Sequence, residues 1–170
     1  VRYGISLIDE AQARANMERE VADKGLEELH AEGRDLWNEA LGKISIEGGT
    51  REERMVFYTS LYRCYERPVC ISEDSRYYSP FDKQVHEDQG RPFYTDDWIW
   101  DTYRAHHPLR ILIDPGMEED ILHSLVRSAE QMDHLWMPTF PGITGDMRAM
   151  NGNHGVVSVL DAHRKGLRHF

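Results

Sequence analysis

The first eight residues, VRYGISLI, alternate apolar and polar positions, which predicts a strand with Tyr3, Ile5 and Leu7 on one face. The period then changes to that of a helix. Asp9 stands where an N-cap belongs, with Gln12 three residues on, ahead of a stretch rich in helix formers that runs to Gly25. A second helical stretch from Leu26 to Leu41 spaces Leu29, Leu36, Trp37, Ala40 and Leu41 along one side, and the segment from Gly42 to Thr50 breaks it. Thr50 and Glu53 form the plainest capping box in the chain. The helix they open carries Val56, Phe57, Leu61 and Tyr65 on or near one face, with Pro68 as its end.

From Val69 to Arg91 neither period holds, which predicts a loop of about twenty residues, longer than a compact domain usually carries without a use for it. Tyr77, Tyr78, Phe81 and His86 make it too aromatic for disorder. Thr95 is placed to cap a helix over TDDWIWDTYRAHH, with Asp96 and Asp97 as favourable first-turn charges and Pro108 as the stop. In that helix Trp98, Asp101 and Ala105 share one face, and Ile99, Tyr103 and His106 another. Asp114-Pro115 opens a further helix whose buried stripe is Ile121, Leu122, Leu125, Val126, Ala129 and Met132. A second irregular segment, Asp133 to Gly155, precedes a last helix with Val156, Val157, Leu160 and Leu167 as its apolar side. Successive helices joined by alternating long and short connections describe an all-α fold, an α/α toroid or part of one.

Composition narrows the functional classes. A length of 170 residues suits one domain. With 40% hydrophobic residues and a mean hydropathy of -0.64, no run approaches the roughly 20 apolar residues of a membrane span. A net charge of -10, from 30 acidic and 20 basic residues, argues against nucleic acid and against anionic membrane surfaces as partners, and leaves neutral substrates open. The chain begins without Met or a basic leader, as a mature product or a portion of a longer polypeptide would. Cys64 and Cys70 read as buried thiols, with a local disulfide as the alternative. No P-loop, GxGxxG, GxSxG or HExxH occurs. The adjacent His106 and His107 would point about 100° apart on a helix, a poor pair of metal ligands.

The stretch from Val85 to Arg110 is dense in Trp, Tyr, His, Arg and carboxylates. That mixture suits a polyhydroxylated ligand, because aromatic faces cover the C–H side of a sugar ring while carboxylates and guanidinium groups hold its hydroxyls. The same residues also fit one amphipathic helix with a buried aromatic side and a solvated acidic one. Glycoside hydrolysis needs an acid and a second carboxylate. Asp74, Asp82, Glu87, Asp88, Asp96, Asp97, Asp101 and Asp146 all lie in or beside the two irregular segments, and position alone does not choose a pair among them.

Several segments appear together in the order of a known family: IEGG at 46–49, FYTSLYR at 57–63, ISEDSRYYS at 71–79, WDTYRAHHPL at 100–109, and NGNH followed by DAHRKGL within 151–167. They resemble family 92 of the glycoside hydrolases, the calcium-dependent, inverting, exo-acting α-mannosidases. The resemblance implies that residues 9–170 are the first part of an (α/α)6 catalytic toroid, and that residues 1–8 are a strand connecting it to a preceding β-sandwich. It implies secretion or a periplasmic location, and mannose-containing glycans as substrates, with α-1,2 linkages the expected ones. The family's acid and base resemble residues of EGNxWQY-type and GNDDxGQMSAWY-type motifs, neither of which occurs in this chain. Catalytic residues and most calcium ligands are therefore expected outside it, with Glu87 as the one weak candidate acid within. The sugar-binding wall implied here comprises Asp74, Asp82, Trp98 or Trp100, Asp101, Arg104 and His154. Where the family usually reads DGRY, this chain has Ser75 in place of Gly. The alternative is a non-catalytic carbohydrate-binding or helical interaction fragment. Part of a toroid should also leave apolar helix faces for the rest of the domain or another chain to cover.

Overall fold

Asp9 starts the first helix in the computed structural model, which describes residues 1–150 and 152–170; Asn151, the first residue of NGNH, lies outside the described residues. The Asp9 carboxylate accepts from the Gln12 backbone N–H at 2.8 Å and closes the N-terminus of α1 (Glu10–Val21). Residues 1–8 do not form the expected strand. A strand needs a neighbour, and among the described residues none pairs with them. They lie along α1 instead: the Asn16 side-chain amide donates to the Ile5 carbonyl at 2.9 Å, and a Cβ on Gly4 would fall 2.0 Å from the Ala13 carbonyl oxygen.

The chain forms two compact units, Val1–Glu66 and Arg67–Phe170. In the first, α2 (Leu26–Leu41) packs on α3 (Arg51–Arg63) through Trp37, whose ring lies 4.4 Å from Tyr62 and 6.3 Å from Tyr65. The capping box is complete. Thr50 Oγ1 accepts from the Glu53 N–H, and Glu53 Oε2 accepts from the Thr50 N–H at 2.7 Å. Leu61 is buried, but Val56, predicted for the same face, is exposed. Helix α3 ends at Arg63, ahead of Pro68.

The second unit replaces the predicted loop after Val69 with short antiparallel ribbons. Strand β1 (Val69–Cys70) pairs with β4 (Tyr94–Thr95), and β2 (Arg76–Tyr78) pairs with β3 (Val85–Glu87), Tyr77 opposite His86. Strands of two or three residues are too short to show alternation, so the sequence period could not reveal them. They are held by a small core of their own: Tyr77 and Phe93 are fully buried, stack at 4.1 Å, and pack with Ile71 and Phe81.

Thr95 is a buried residue of β4 and not a helix cap; its hydroxyl donates to the Gly142 carbonyl. The predicted helix over 96–107 is split. Asp96 turns the chain at φ 60°, α4 (Ile99–Thr102) makes barely one turn, and α5 (His106–Ile113) begins anew. Pro108 does not stop a helix either. It is the third residue of α5, where a missing N–H would have had no intrahelical partner anyway. Helix α6 (Pro115–Gln131) starts with Pro at its first position, as Asp114-Pro115 predicts. It buries Ile121, Leu122 and Leu125, and with them Glu118, Ser124 and Ser128. Gln131 donates to the Tyr77 hydroxyl at 2.6 Å and ties the β2–β3 ribbon to α6.

A third ribbon, β5 (Pro141–Gly142) with β6 (Gly145–Asp146), precedes α7 (His154–Arg164). Of the predicted apolar stripe only Leu167, beyond the end of α7, packs against the core, and the helix itself turns its other side inward. Gly155, Ser158 and Ala162 are buried, whereas Val156, Val157 and Leu160 are each nearly half exposed. The small residues permit a close approach, since a Cβ on Gly155 would stand 2.7 Å from Met137 Cγ. Ala162 joins Ile99, Leu122 and Leu125 in the main core. Neither Cys64 nor Cys70 is in a disulfide, and Cys70 is exposed where burial was expected. The architecture is all-α, with strands confined to these three two-stranded ribbons among the described residues.

Asp74 and Ser75, at φ 49° and 66°, make the tight turn between the bridged residues Glu73 and Arg76. Two left-handed central residues are the pattern that favours glycine, and a side chain there costs about 1–2 kcal/mol. Replacing Ser75 with Gly is expected to raise the stability of the second unit by about 1 kcal/mol, read as a higher urea midpoint. A lower midpoint would mean that the serine side chain itself holds the turn.

Candidate functional site

Helix α4 carries Trp100 and Asp101 side by side, and Arg104 follows two residues beyond its end. The Arg104 Nη1 donates to the Trp100 carbonyl at 3.0 Å, and its guanidinium carbon lies 4.4 Å from the Trp100 ring and 4.9 Å from the Tyr103 ring. Tyr103 stacks in turn on His154 of α7, at 4.4 Å and 20°. Trp100, Arg104, Tyr103 and His154 thus form one continuous row, and exposed Asp101 accompanies it on α4. Tyr103, the joint of the row, was not among the predicted site residues.

Trp98 stands apart from that row. Its indole is 43% exposed, lies 6.2 Å from Phe140, and carries the Arg67 guanidinium 4.4 Å above its ring. Arg67 also pairs with the Asp96 carboxylate, and its backbone carbonyl accepts from Arg110 Nη2. Arg67 is a further residue that nothing in the local sequence marks.

The other candidates lie on the β2–β3 ribbon and not on α4. Asp74 is exposed at the turn, and Glu87 is exposed on β3 opposite Arg76. Asp82 takes His86 Nε2 at 2.8 Å and the Gln84 N–H at 3.0 Å. It also lines a cavity of about 440 Å³ together with Lys83, Gln131, His134, Asp146 and Arg148, a volume that suits a small ligand. The Asp88 and Asp146 carboxylates accept backbone N–H groups, from Gly90 and from Phe140 and Arg148 respectively. Their acceptor capacity is thereby committed to the loops.

Beneath α4 lies a buried constellation of three ionisable groups. His107 Nε2 is 2.9 Å from Asp97 Oδ2, and His107 Nδ1 is 2.8 Å from Glu118 Oε1. All three side chains are essentially inaccessible. A ring flanked by a carboxylate at each nitrogen satisfies both as the imidazolium, which donates twice. Burial opposes that charge, but the Asp97 carboxylate and then Glu118 outweigh it and lift His107 to about 10. For Asp97, burial pushes the carboxyl upward, yet the His107 charge and the hydrogen bonds from His107 and Thr102 hold it below the ordinary range. Glu118 is raised, chiefly by burial, and its Oε2 is buried without a hydrogen-bond partner. The ion pair is therefore His107 with Asp97, and Glu118 is the carboxyl closest to neutral. Neither Asp97 nor Asp96 plays the first-turn helix role that the sequence suggested. Glu118 was legible in principle, because it shares the 118, 121, 122, 125 register of the buried face of α6.

Among the described residues, no three His, Cys, Asp or Glu side chains gather in a way that could hold a metal ion.

Comparison with known proteins places this geometry in context. The family pattern described as "Glycosyl hydrolase family 92 catalytic domain" matches residues 12–170. Among solved structures, the chain is similar to the family GH92 inverting mannosidase BT2199 from Bacteroides thetaiotaomicron VPI-5482, with 34% identity and a TM-score of 0.86. It is also similar to the family GH92 alpha-mannosidase BT3965 from Bacteroides thetaiotaomicron, with 29% identity and a TM-score of 0.91. Each comparison covers 97% of this chain and 22% of the solved one, so the chain spans less than a quarter of the length of either. No curated protein sequence matches it.

The buried pair gives a pH dependence of defined sign. His107 is raised from 6.5 to about 10, so its contribution to stability is complete below about 6.5 and is lost as pH rises through about 10. Asp97 is lowered from 3.8, so its contribution is present above that value and is lost as pH falls through the depressed one. His107→Ala is expected to cost about 3–5 kcal/mol near neutral pH. In denaturant melts the gap to the wild type should narrow once pH exceeds about 10. A gap unchanged across that range would contradict the ion pair.

Proposed function

This chain belongs to glycosyl hydrolase family 92, and from that premise we propose that it forms one wall of the sugar site of an inverting, exo-acting α-mannosidase. The observation that carries the reading is the row of Trp100, Arg104, Tyr103 and His154 beside Asp101, which runs from α4, whose footing is buried, to the start of α7. An indole or phenol face covers the C–H side of a mannose ring, and a carboxylate and a guanidinium bond its hydroxyls from the edge. Solved relatives of this chain are named as mannosidases, one of them as inverting.

Inversion requires a carboxylic acid and a carboxylate base about 6.5–9.5 Å apart, with a water between the base and the sugar. We assign neither role to the buried Asp88 and Asp97 or the half-buried Asp146, since each is engaged by neighbours. The acid and base are assigned to residues outside this chain, with exposed Glu87 as the remaining candidate inside it. Calcium dependence is likewise part of the proposal, with most of the ligands assigned to residues outside this chain, as the family resemblance implies. The substrate class proposed is a glycan ending in α-1,2-linked mannose, met in the periplasm or outside the cell. No helix among the described residues is long and apolar enough to cross a membrane.

The test is mannose release from α-1,2-mannobiose by the longest natural polypeptide carrying this sequence, with and without a chelator. Release that the chelator abolishes is expected. Asp101→Ala should lower kcat/KM by about tenfold to a hundredfold, the loss of a charged hydrogen bond to a sugar hydroxyl. Mannose binding without any release would favour a non-catalytic carbohydrate-binding role. The absence of both binding and release would favour a helical interaction role.

A further inference from the structure

Helix α4 has four residues, too few to hold its own shape in water. Its backbone supplies three bonds of its own: Asp101 N–H and Thr102 N–H to the Trp98 carbonyl, and Tyr103 N–H to the Ile99 carbonyl. Ile99 anchors it by one fully buried side chain in the core with Leu122, Leu125 and Ala162. Tyr103, just past its end, packs against the same core and stacks on His154, so apolar contacts fix where the helix sits but give no hydrogen bond to its last turn. A second, directional attachment is needed to set which way Trp100 and Asp101 face.

Asp97 supplies that attachment. One of its oxygens accepts from the Thr102 hydroxyl at 2.8 Å, and the other meets His107 Nε2 at 2.9 Å. Asp97 lies two residues before α4 and Thr102 is the last residue of α4, so a single carboxylate brackets the helix from both ends. His107 belongs to α5, and its second nitrogen is held by Glu118 of α6. The chain of contacts thus runs from α6, which supplies much of the core, to the orientation of α4.

Building on the sugar-site reading above, we propose that His107, acting through Asp97 and Thr102, is the positioning residue that sets the rotation of α4 and so aims Trp100 and Asp101 at the sugar. Thr102 is the link that can be cut with least damage, since valine keeps its shape and removes only the hydroxyl.

The experiment compares wild type, Thr102→Val, Thr102→Ser and His107→Gln, each in the longest natural polypeptide carrying this sequence, by backbone hydrogen exchange and by steady-state kinetics on an aryl α-mannoside. In Thr102→Val the Asp101, Thr102 and Tyr103 amides should lose at least about tenfold in protection while the α6 amides keep theirs. KM should rise by about tenfold with kcat within about threefold, the mark of lost binding and not of lost chemistry. Thr102→Ser should restore both quantities, and His107→Gln should reproduce the valine effect in α4. Unchanged α4 protection, or protection lost equally in α6, would overturn the proposal, as would a matched fall in kcat without a change in KM. Hydrogen exchange judges the positioning role without any turnover. A wild type that neither binds mannose nor releases it defeats the sugar-site reading, and the exchange data still decide whether the clamp exists.

Discussion

Three ionisable side chains share one dry space where α4, α5 and α6 meet, and charges out of water are tolerated only where each is matched by a partner in good geometry. Asp97 and His107 meet that condition at 2.9 Å, and Glu118, the carboxyl closest to neutral, extends the line from the other side of the imidazole at 2.8 Å. The consequences reach the backbone. His107 must face Asp97, which follows the turn at Asp96, so the chain cannot continue as one helix from 96 to 107. It breaks after Thr102 and restarts at His106. The same requirement gives Pro108 a place inside a first helical turn. A local sequence argument would instead have ended the helix there.

The surface above this buried line is organised by cations on aromatic rings. Arg104 lies over Trp100 and Tyr103, Arg67 over Trp98, and Arg127 over Tyr77 and Phe93. These arginines differ in use. Arg127 seals a small core and donates to the carbonyl of Glu87, so its role is structural. Arg67 is engaged by Asp96 while it covers Trp98. Arg104 is itself exposed, and a guanidinium carries five donors, more than the bond to the Trp100 carbonyl uses. Density of Trp and Arg in a sequence does not separate these cases; the pairing does.

Local signals were legible because their physics is local. Asp9, the Thr50–Glu53 box and Pro115 each act within one helical turn, and each helix begins where they indicate. Trp100, Asp101 and Arg104 are likewise neighbours in one motif, and the structure keeps them adjacent, with Arg104 over the Trp100 ring. What was missed depends on distant partners. The ribbons between Val69 and Thr95 are too short to carry a period and owe their place to Tyr77, Phe93 and residues of α6 some thirty to fifty positions away. The split of the 96–107 helix follows from contacts between residues ten and eleven apart, a spacing with no signature in either helix or strand. Helix α7 shows a third kind of miss. Its large apolar residues mark a face, but its small ones decide which face goes inward, because only they let the helix approach Met137.

That inversion sets the direction in which α7 can vary. On most amphipathic helices the large apolar side chains are the fragile positions and the small residues opposite them are free to change. Here the sensitivities are reversed within the second unit. Adding a methyl group at Gly155 would collide with Met137, whereas trimming Val157 would remove a side chain already nearly half in water. Val159 packs on the core in the ordinary way, but at the other positions fragility follows lack of size. At Gly155 the damaging change is a gain of side chain and not a loss.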